Sequence, residues 1–489
     1  MSYERLSAQD AALLCAQDPA APLIIGAVAV FDGGTLLEPG TGLDLERIRL
    51  VVERRLDRMP RLRQRLLSVP LDQGPPVWVD DPAFDIRHHV RSAVLPAPAG
   101  ARELRDFIAR LLEQPLDAGR PLWELWLLHV PEIEPIEDDR VVAVLKASHV
   151  MADGISLLGF AWAMLDTEPG AADASETDGA TSAGAPDAAS RHGGPALPNP
   201  AQLWLETVVG RSLHGMAVVG RAAASATRHP GRTVRDAAAF ARGAAALAVP
   251  APRSPITRPV GSRRDMTWLR LPLDEVRVVA SDQGVTLNDV VLSIVAEGLD
   301  TYVHPGSGIQ PWSGPRVLVP VSTHRPDDPA GLGNRFTMMV TELPSGDTDP
   351  LRRVQRVHEA TQTCKSSGQT AVGTWLFGVS ELVPVRLLRR VAPALIRRQP
   401  FANLAVTNMP GTDAPLYLAG APLLELYPFI TVTGNIGVIV GALSYLGGLG
   451  ISLTVDADLV PDLDRLAAAI EAAAEALLDG APRPEAARA

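Results

Sequence analysis

Apolar runs of strand length alternate along this chain with segments whose apolar positions recur at helical spacing. In the first third, residues 22–31, 121–130 and 141–148 are apolar runs that predict strands. Residues 8–15, 43–59, 101–113 and 155–165 predict helices, the first capped by Ser7 with Asp10 three residues on. Short extended pieces are expected at 77–79 and 84–90. Helices and strands mixed in this way predict a layered α/β domain over 1–166.

The pattern then changes twice. Residues 167–200 are Ala, Gly, Ser, Asp and Pro with almost no large apolar side chain, the composition of a disordered linker. Residues 201–249 return to helical spacing and predict two or three helices. They carry Arg211, Arg221, Arg228, Arg232, Arg235 and Arg242 against only Glu206 and Asp236. Such a basic helical linker, 201–262, either packs on the body with its arginines in water or lies on a membrane surface; the pattern leaves both open.

A second α/β domain is expected over 263–489. Strands are predicted at 266–271, 316–321, 336–343 and 403–408, the last closed by Met409-Pro410-Gly411. Helices are predicted at 273–282, 290–302, 349–364 and 463–478, with a loop over 322–334. Residues 426–455 carry no charge and are long enough to span a bilayer. They also hold Pro428, Asn435 and six glycines, with Leu446-Gly447-Gly448 placed as a hairpin turn between strands 436–445 and 449–455. A buried hairpin therefore fits better than a membrane helix. No short repeat is visible, but the two halves are similar in size, as two copies of one fold would be.

Composition narrows the classes. The chain has 489 residues, 46% hydrophobic and 21% charged, which suits a folded protein of two or three domains. A net charge of −11 argues against nucleic acid as a partner. Cys15 and Cys364 are far apart, without metal-site or disulfide spacing, as in a reducing compartment. The N-terminus lacks the basic and apolar regions of a signal peptide. A cytoplasmic protein is expected, at most peripheral on the inner face of the membrane.

One stretch carries candidate chemistry: Lys146-Ala147-Ser148-His149-Val150-Met151-Ala152-Asp153-Gly154, at a strand-to-helix junction. Two readings compete. In the first, Asp153 is an N-cap, Gly154 eases the turn and His149 merely ends a strand. In the second, His149 is a general base, since an imidazole with a pKa of ~6.5 suits proton removal from an alcohol near neutrality. A cap at Asp153 would hold the turn in either case. Ser148 is a poor nucleophile candidate: neighbours on a strand point to opposite faces, and no Gly-x-Ser-x-Gly elbow surrounds it. Neither cysteine has a basic neighbourhood. A mechanism without a covalent enzyme intermediate is favoured. His149 and Asp153 make at most two metal ligands, so no metal is expected. His88 and His89, in a charged extended segment, read as ordinary surface or edge-strand histidines.

The motif Ser148–Gly154 resembles the HHxxxDG signature of acyltransferases related to chloramphenicol acetyltransferase and to peptide-synthetase condensation domains. The surroundings resemble the bacterial wax ester synthase/diacylglycerol acyltransferases. Pro115-Leu116-Asp117-Ala118-Gly119-Arg120-Pro121-Leu122-Trp123-Glu124 is similar to that family's PLDRSRPLWE stretch, and Thr286-Leu287-Asn288-Asp289-Val290-Val291-Leu292 to its TVNDVVL. Pro320-Val321-Ser322, Arg325-Pro326 and Leu332-Gly333-Asn334-Arg335 also match, as do 403–411, 415–420 and Leu443-Ser444-Tyr445. The likeness covers nearly the whole chain except 167–200.

The resemblance implies two chloramphenicol-acetyltransferase-like α/β domains, a helical linker and an active-site tunnel between them. It implies transfer of a fatty acyl group from acyl-CoA, a co-substrate with no further cofactor, to diacylglycerol or a long-chain alcohol. His149 would be the base and Asp153 its structural partner, with Asn288 and Asp289 facing the site from the second half. The bland alternative for that pair is a helix cap. Pro121-Leu122-Trp123 reads as core packing. Ser148 departs from the signature, standing where the family has its first histidine; facing away from His149, it should leave the enzyme active. Other alcohol acceptors, such as a polyketide or a sugar, remain open, as does a catalytically silent scaffold on a membrane or lipid-droplet surface.

Overall fold

In the computed structural model, two six-stranded mixed sheets lie side by side, each with helices packed on it. The structure describes residues 3–18, 21–38, 42–96, 100–130, 139–151, 154–169, 197–303, 314–322, 336–347, 349–380 and 383–480. The expected linker 167–200 and loop 322–334 fall largely outside them.

The first sheet runs, in spatial order, Tyr417–Leu418, Ala421–Ile430, Ile24–Asp32, Arg140–Ser148, Trp123–Val130 and Val90–Val94. The second runs Arg264–Pro272, Gly448–Asp456, Val438–Tyr445, Leu404–Thr412, Arg316–Ser322 and Phe336–Glu342. The division does not follow the chain's two halves. Strand Ala421–Ile430 leaves the second half and pairs antiparallel with Ile24–Asp32 of the first. The sequence reading missed this strand, because its apolar end merges into the uncharged run 426–455.

Packing explains why the strand crosses. Val28, Val142 and Val144 of the first sheet share one core with Ile108 and Leu112 of helix Ala101–Glu113, with Met266 of the second sheet, and with Tyr427 and Phe429 of the crossing strand. Burying a large apolar side chain contributes roughly 1.5–3 kcal/mol, so this shared core binds the two sheets tightly. Glycines permit the close approach. A Cβ on Gly450 would lie 2.3 Å from the Leu426 carbonyl oxygen, and one on Gly26 would lie 1.9 Å from that of Leu145 and 2.2 Å from the Phe429 ring. The predicted hairpin is present, with Val438–Tyr445 paired to Gly448–Asp456 across a turn at Leu446 and Gly447.

Other expectations need correction. Residues 84–90 are not extended throughout: Asp85 caps a 3-10 turn, Ile86–His88, before the strand begins at Val90. The helix expected over 43–59 is Leu45–Arg55, capped by Asp44 and closed by a 3-10 turn. Strand Leu404–Thr412 does not close at Met409-Pro410-Gly411 but runs through it, with a register shift between Met409 and Thr412. A bulge is where a strand tolerates proline, which lacks the donor the ladder needs. Helices Gln369–Ser380 and Val385–Ile396 were not foreseen.

The linker forms two helices, Pro200–Arg228 and Pro230–Ala248. Arg228, Arg235 and Arg242 are exposed; the side chains of Arg211, Arg221 and Arg232 lie outside the described residues. The second helix packs on the body, with Phe240 edge-on to Trp375 at 5.0 Å between ring centroids.

Candidate active site

The chain is pinned on both sides as strand Arg140–Ser148 ends. Ser148 N–H donates to the Leu122 carbonyl (3.0 Å) and His149 N–H to that of Leu23 (3.1 Å). Met151 N–H then donates back to the Ser148 carbonyl (2.9 Å), turning the chain toward the helix that opens at Gly154. Two rigid strands thus fix where the His149 side chain starts. Asp153 lies outside the described residues.

His149 is buried and lines a cavity of about 1040 Å³ between the two sheets. Ligand pockets commonly measure ~300–1,000 Å³, so this one holds a large ligand. Helix Ala8–Ala16 supplies Ala12, Leu13 and Ala16 to one wall. The second half supplies Phe336, Met338, Asn408, Met409 and Ile439 to the other. The Phe336 ring lies 5.8 Å from the His149 ring, tilted by 55°. Gln9 Nε2 donates to the Phe336 carbonyl (3.0 Å), tying the two walls together. The cavity is overwhelmingly apolar, with the imidazole among its few polar groups. An apolar wall expels water from the space beside the imidazole.

Ser148 is not part of this cavity. Its hydroxyl oxygen accepts hydrogen bonds from Gln17 Nε2 and from Val150 N–H, both at 3.4 Å. The cysteines offer no nucleophile either. Burial pushes the Cys15 thiol up, and burial pushes that of Cys364 up to about 11, so both stay protonated near neutrality.

Three residues before His149, the wholly buried Lys146 donates from Nζ to the Gln114 carbonyl (2.6 Å), with Glu124 Oε2 at 3.9 Å. Burial lowers its pKa to about 8, against the pull of Glu124. Lys146 shares a face with Val142 and Val144, turned to helix Ala101–Glu113, and does not line the cavity.

Asn288 and Asp289 do not face the site as the resemblance implied. Neither lines the cavity. Asp289 closes a capping box at the start of helix Leu287–Val303: its carboxylate accepts from Thr286 N–H (3.0 Å) and Thr286 Oγ (2.8 Å), while its own N–H donates to Thr286 Oγ (3.3 Å). It also pairs with His358 Nδ1 (2.8 Å) and accepts from Thr361 Oγ (2.8 Å). Burial alone would raise the Asp289 pKa, but the bonds from His358, Thr286 and Thr361 outweigh it and hold the carboxyl below its ordinary range. For Asp289 the structure shows a helix cap.

His89 also departs from expectation. It is buried, stacked between Phe84 (5.0 Å) and Trp123 (4.7 Å), with Nδ1 2.8 Å from the Trp123 carbonyl. Burial lowers its pKa, so it is a neutral core residue and not a surface one. Leu122 and Trp123 are core residues as expected, and the Trp123 indole N–H donates to the Leu62 carbonyl (2.8 Å).

Sequence reasoning missed the helical rim. Leu376, Arg390, Val391, Leu395 and Arg398 line the cavity from the two unforeseen helices and the residues after them. A signal existed: Arg386, Arg389 and Arg390 stand at helical spacing against Leu387, Val391 and Leu395, but Pro393 interrupts the pattern.

A large apolar cavity built from both halves and lined by His149 matches the tunnel the motifs implied, and comparison with known proteins agrees in the family. The family model described as the wax ester synthase/diacylglycerol acyltransferase catalytic domain matches residues 6–291. The chain belongs to the wax ester synthase/diacylglycerol acyltransferase family. The model of that family's C-terminal domain matches residues 332–477. A putative diacylglycerol O-acyltransferase of Mycobacterium tuberculosis is 30% identical over 489 residues, covering 98% of this chain and 91% of its own. A probable diacylglycerol O-acyltransferase, tgs1, of the same species is 31% identical over 477 residues, covering 97% and 95%. Among solved structures, the wax ester synthase/diacylglycerol acyltransferase of Marinobacter aquaeolei superposes with a TM-score of 0.62 at 22% identity, covering 97% of this chain and 98% of that one. The first condensation domain of the calcium-dependent antibiotic synthetase superposes at 0.59 with 18% identity, covering 98% and 97%. These two likenesses establish the fold: two domains of the chloramphenicol-acetyltransferase type.

Proposed function

We propose that this acyltransferase of the wax ester synthase/diacylglycerol acyltransferase family uses His149 as general base in direct transfer from acyl-CoA. The acceptor, diacylglycerol or a long-chain alcohol, loses its hydroxyl proton to the imidazole as its oxygen attacks the thioester carbonyl carbon. The carbon–sulfur bond then breaks. The CoA thiolate needs little acid assistance, because a thiol pKa is ~8.5, and it takes its proton from the imidazolium. The products are triacylglycerol or a wax ester, and free CoA. The observation that carries this reading is the His149 ring at the end of a rigid strand, inside an apolar cavity large enough for acyl chains. Asp153 would orient the turn.

We further place the enzyme at a lipid surface, as its water-insoluble acceptors require. Among the described residues no single helix is long and apolar enough to cross a membrane. The bent pair Leu273–Asp282 and Leu287–Val303 has the length, but its apolar side chains fill the second core.

The test is release of CoA thiol from acyl-CoA across diacylglycerol and alcohol acceptors. Wild type should be active despite Ser148. His149→Ala should lose about a hundred- to ten-thousandfold in kcat, the usual range for removing a general base. Equal rates for the two proteins would remove His149 from the mechanism, and an inactive wild type would refute the transferase.

A further inference from the structure

The rim of the cavity carries an exposed apolar ridge. Leu387, Val391 and Leu395, four residues apart on helix Val385–Ile396, form one apolar stripe and are 52%, 41% and 66% exposed. Leu376 on helix Gln369–Ser380 is 52% exposed and lines the same cavity as Val391 and Leu395, while the neighbouring Trp375 packs on Phe240 of the linker. Single exposed apolar residues are ordinary on a protein surface, but a contiguous patch marks an interaction site.

The charge around the patch says what covers it. Between Leu382 and Thr412 there are five arginines and no acidic residue, in a chain of net charge −11. Arg389 pairs with Asp72 (3.5 Å) and Arg397 with Asp18 (2.9 Å). Arg386, Arg390 and Arg398 have no carboxylate partner among the described residues and flank the stripe. An apolar stripe edged by free arginines is the pattern of a helix lying at the headgroup level of an anionic lipid surface.

The same ridge belongs to the cavity wall, since Leu376, Arg390, Val391, Leu395 and Arg398 line it. We propose that the ridge of helices Gln369–Ser380 and Val385–Ile396 docks the protein on an anionic phospholipid surface, with the cavity mouth against the lipid. This rests on the reading of the cavity as a site for lipid acceptors. In that pose an acceptor passes from the surface to His149 along apolar side chains without crossing water. The ridge, and not the arginine-rich helices 200–248, is then the docking element.

Sedimentation of the full chain with vesicles tests this. It should bind vesicles of equal parts phosphatidylcholine and phosphatidylglycerol and bind phosphatidylcholine alone more weakly. Arg386→Glu with Leu387→Asp should weaken binding to the mixed vesicles about a hundredfold. Neither residue lines the cavity, so the melting temperature and CoA release from detergent-dispersed substrates should match wild type. Leu387→Cys carrying an environment-sensitive dye should shift to the blue on the mixed vesicles; Cys15 and Cys364 are buried and will not take the label.

Unchanged vesicle binding in the double variant would overturn the proposal, as would a dye that stays water-like. So would loss of binding on Arg235→Glu with Arg242→Glu instead, or a Leu387→Asp variant that only splits a dimer. Failure of the docking reading leaves CoA release in detergent intact. Failure of the transferase reading abolishes that release and leaves vesicle binding intact.

Discussion

The two halves both place an acidic residue near a helix start with a histidine close by, and they use the arrangement differently. In the first half, His149 stands at a strand end with its ring in an apolar cavity. In the second, His358 donates to Asp289, whose carboxylate is also occupied by Thr286 and Thr361. Asp289, saturated with partners, stabilises a helix start; His149 instead lines an apolar cavity. In the proposed mechanism the first half supplies the base, while both halves supply cavity walls and the second adds the helical rim. The residue types look alike in the two places, though histidine and acid are 4 residues apart in one and 69 in the other, and the surroundings tell them apart.

That comparison can be broken. The largest expected effect is the His149→Ala loss of turnover, with a urea midpoint matching wild type; a large stability loss instead would make His149 a packing residue. Next is Asp289→Ala. It strands the donors of Thr286, the half-buried His358 and the buried Thr361, so we expect a loss of about 2 kcal/mol in a urea melt, with CoA release per folded molecule unchanged. A selective fall in turnover at intact stability would give the second half a chemical role. The Asp289 contribution is also pH-dependent. Its folded pKa is depressed, so the stabilisation is complete above the ordinary carboxyl value of ~3.9 and is lost as pH falls through the lower folded value. The difference between wild type and Asp289→Asn should therefore shrink only in strong acid.

Lys146 should give a smaller, opposite trend. Its folded pKa of about 8 lies below the unfolded value, so the unfolded chain binds more protons between the two and wild-type stability should rise as pH climbs from about 8 to about 10.4. Lys146→Met should flatten that rise, which is about 3 kcal/mol at most. Thermal melts across this range check it. The smallest effect is expected from Ser148→Ala. Its two long hydrogen bonds lie off the cavity, and we expect less than about 1 kcal/mol in stability and less than a threefold change in kcat. A larger loss of activity would place Ser148 in the mechanism.

Much of this architecture was legible beforehand. Helix Ala101–Glu113 and helix Leu273–Asp282 have the bounds that their apolar spacing and flanking residues predict. The hairpin in the uncharged run is present, and His149 was placed by the strand before it and the helix after it. Strand Ala421–Ile430 was not legible, because its partner lies about 400 residues earlier and nothing local names it. Helix Val385–Ile396 was hidden by Pro393, whose missing N–H disguises a short helix.

The sequence alone determined the periodic elements, the caps and the family, because those are local or carried by motifs. It could not decide whether His149 borders a cavity or merely ends a strand, or that His89 is buried, since both depend on what folds around them. Nor could it decide that a strand from the second half would complete the first sheet, or that two arginine-edged helices would rim the cavity. Each of these depends on contacts between residues far apart in the chain. Burial, partner saturation and cavity walls are properties of those contacts, and they exist only once the chain has closed on itself.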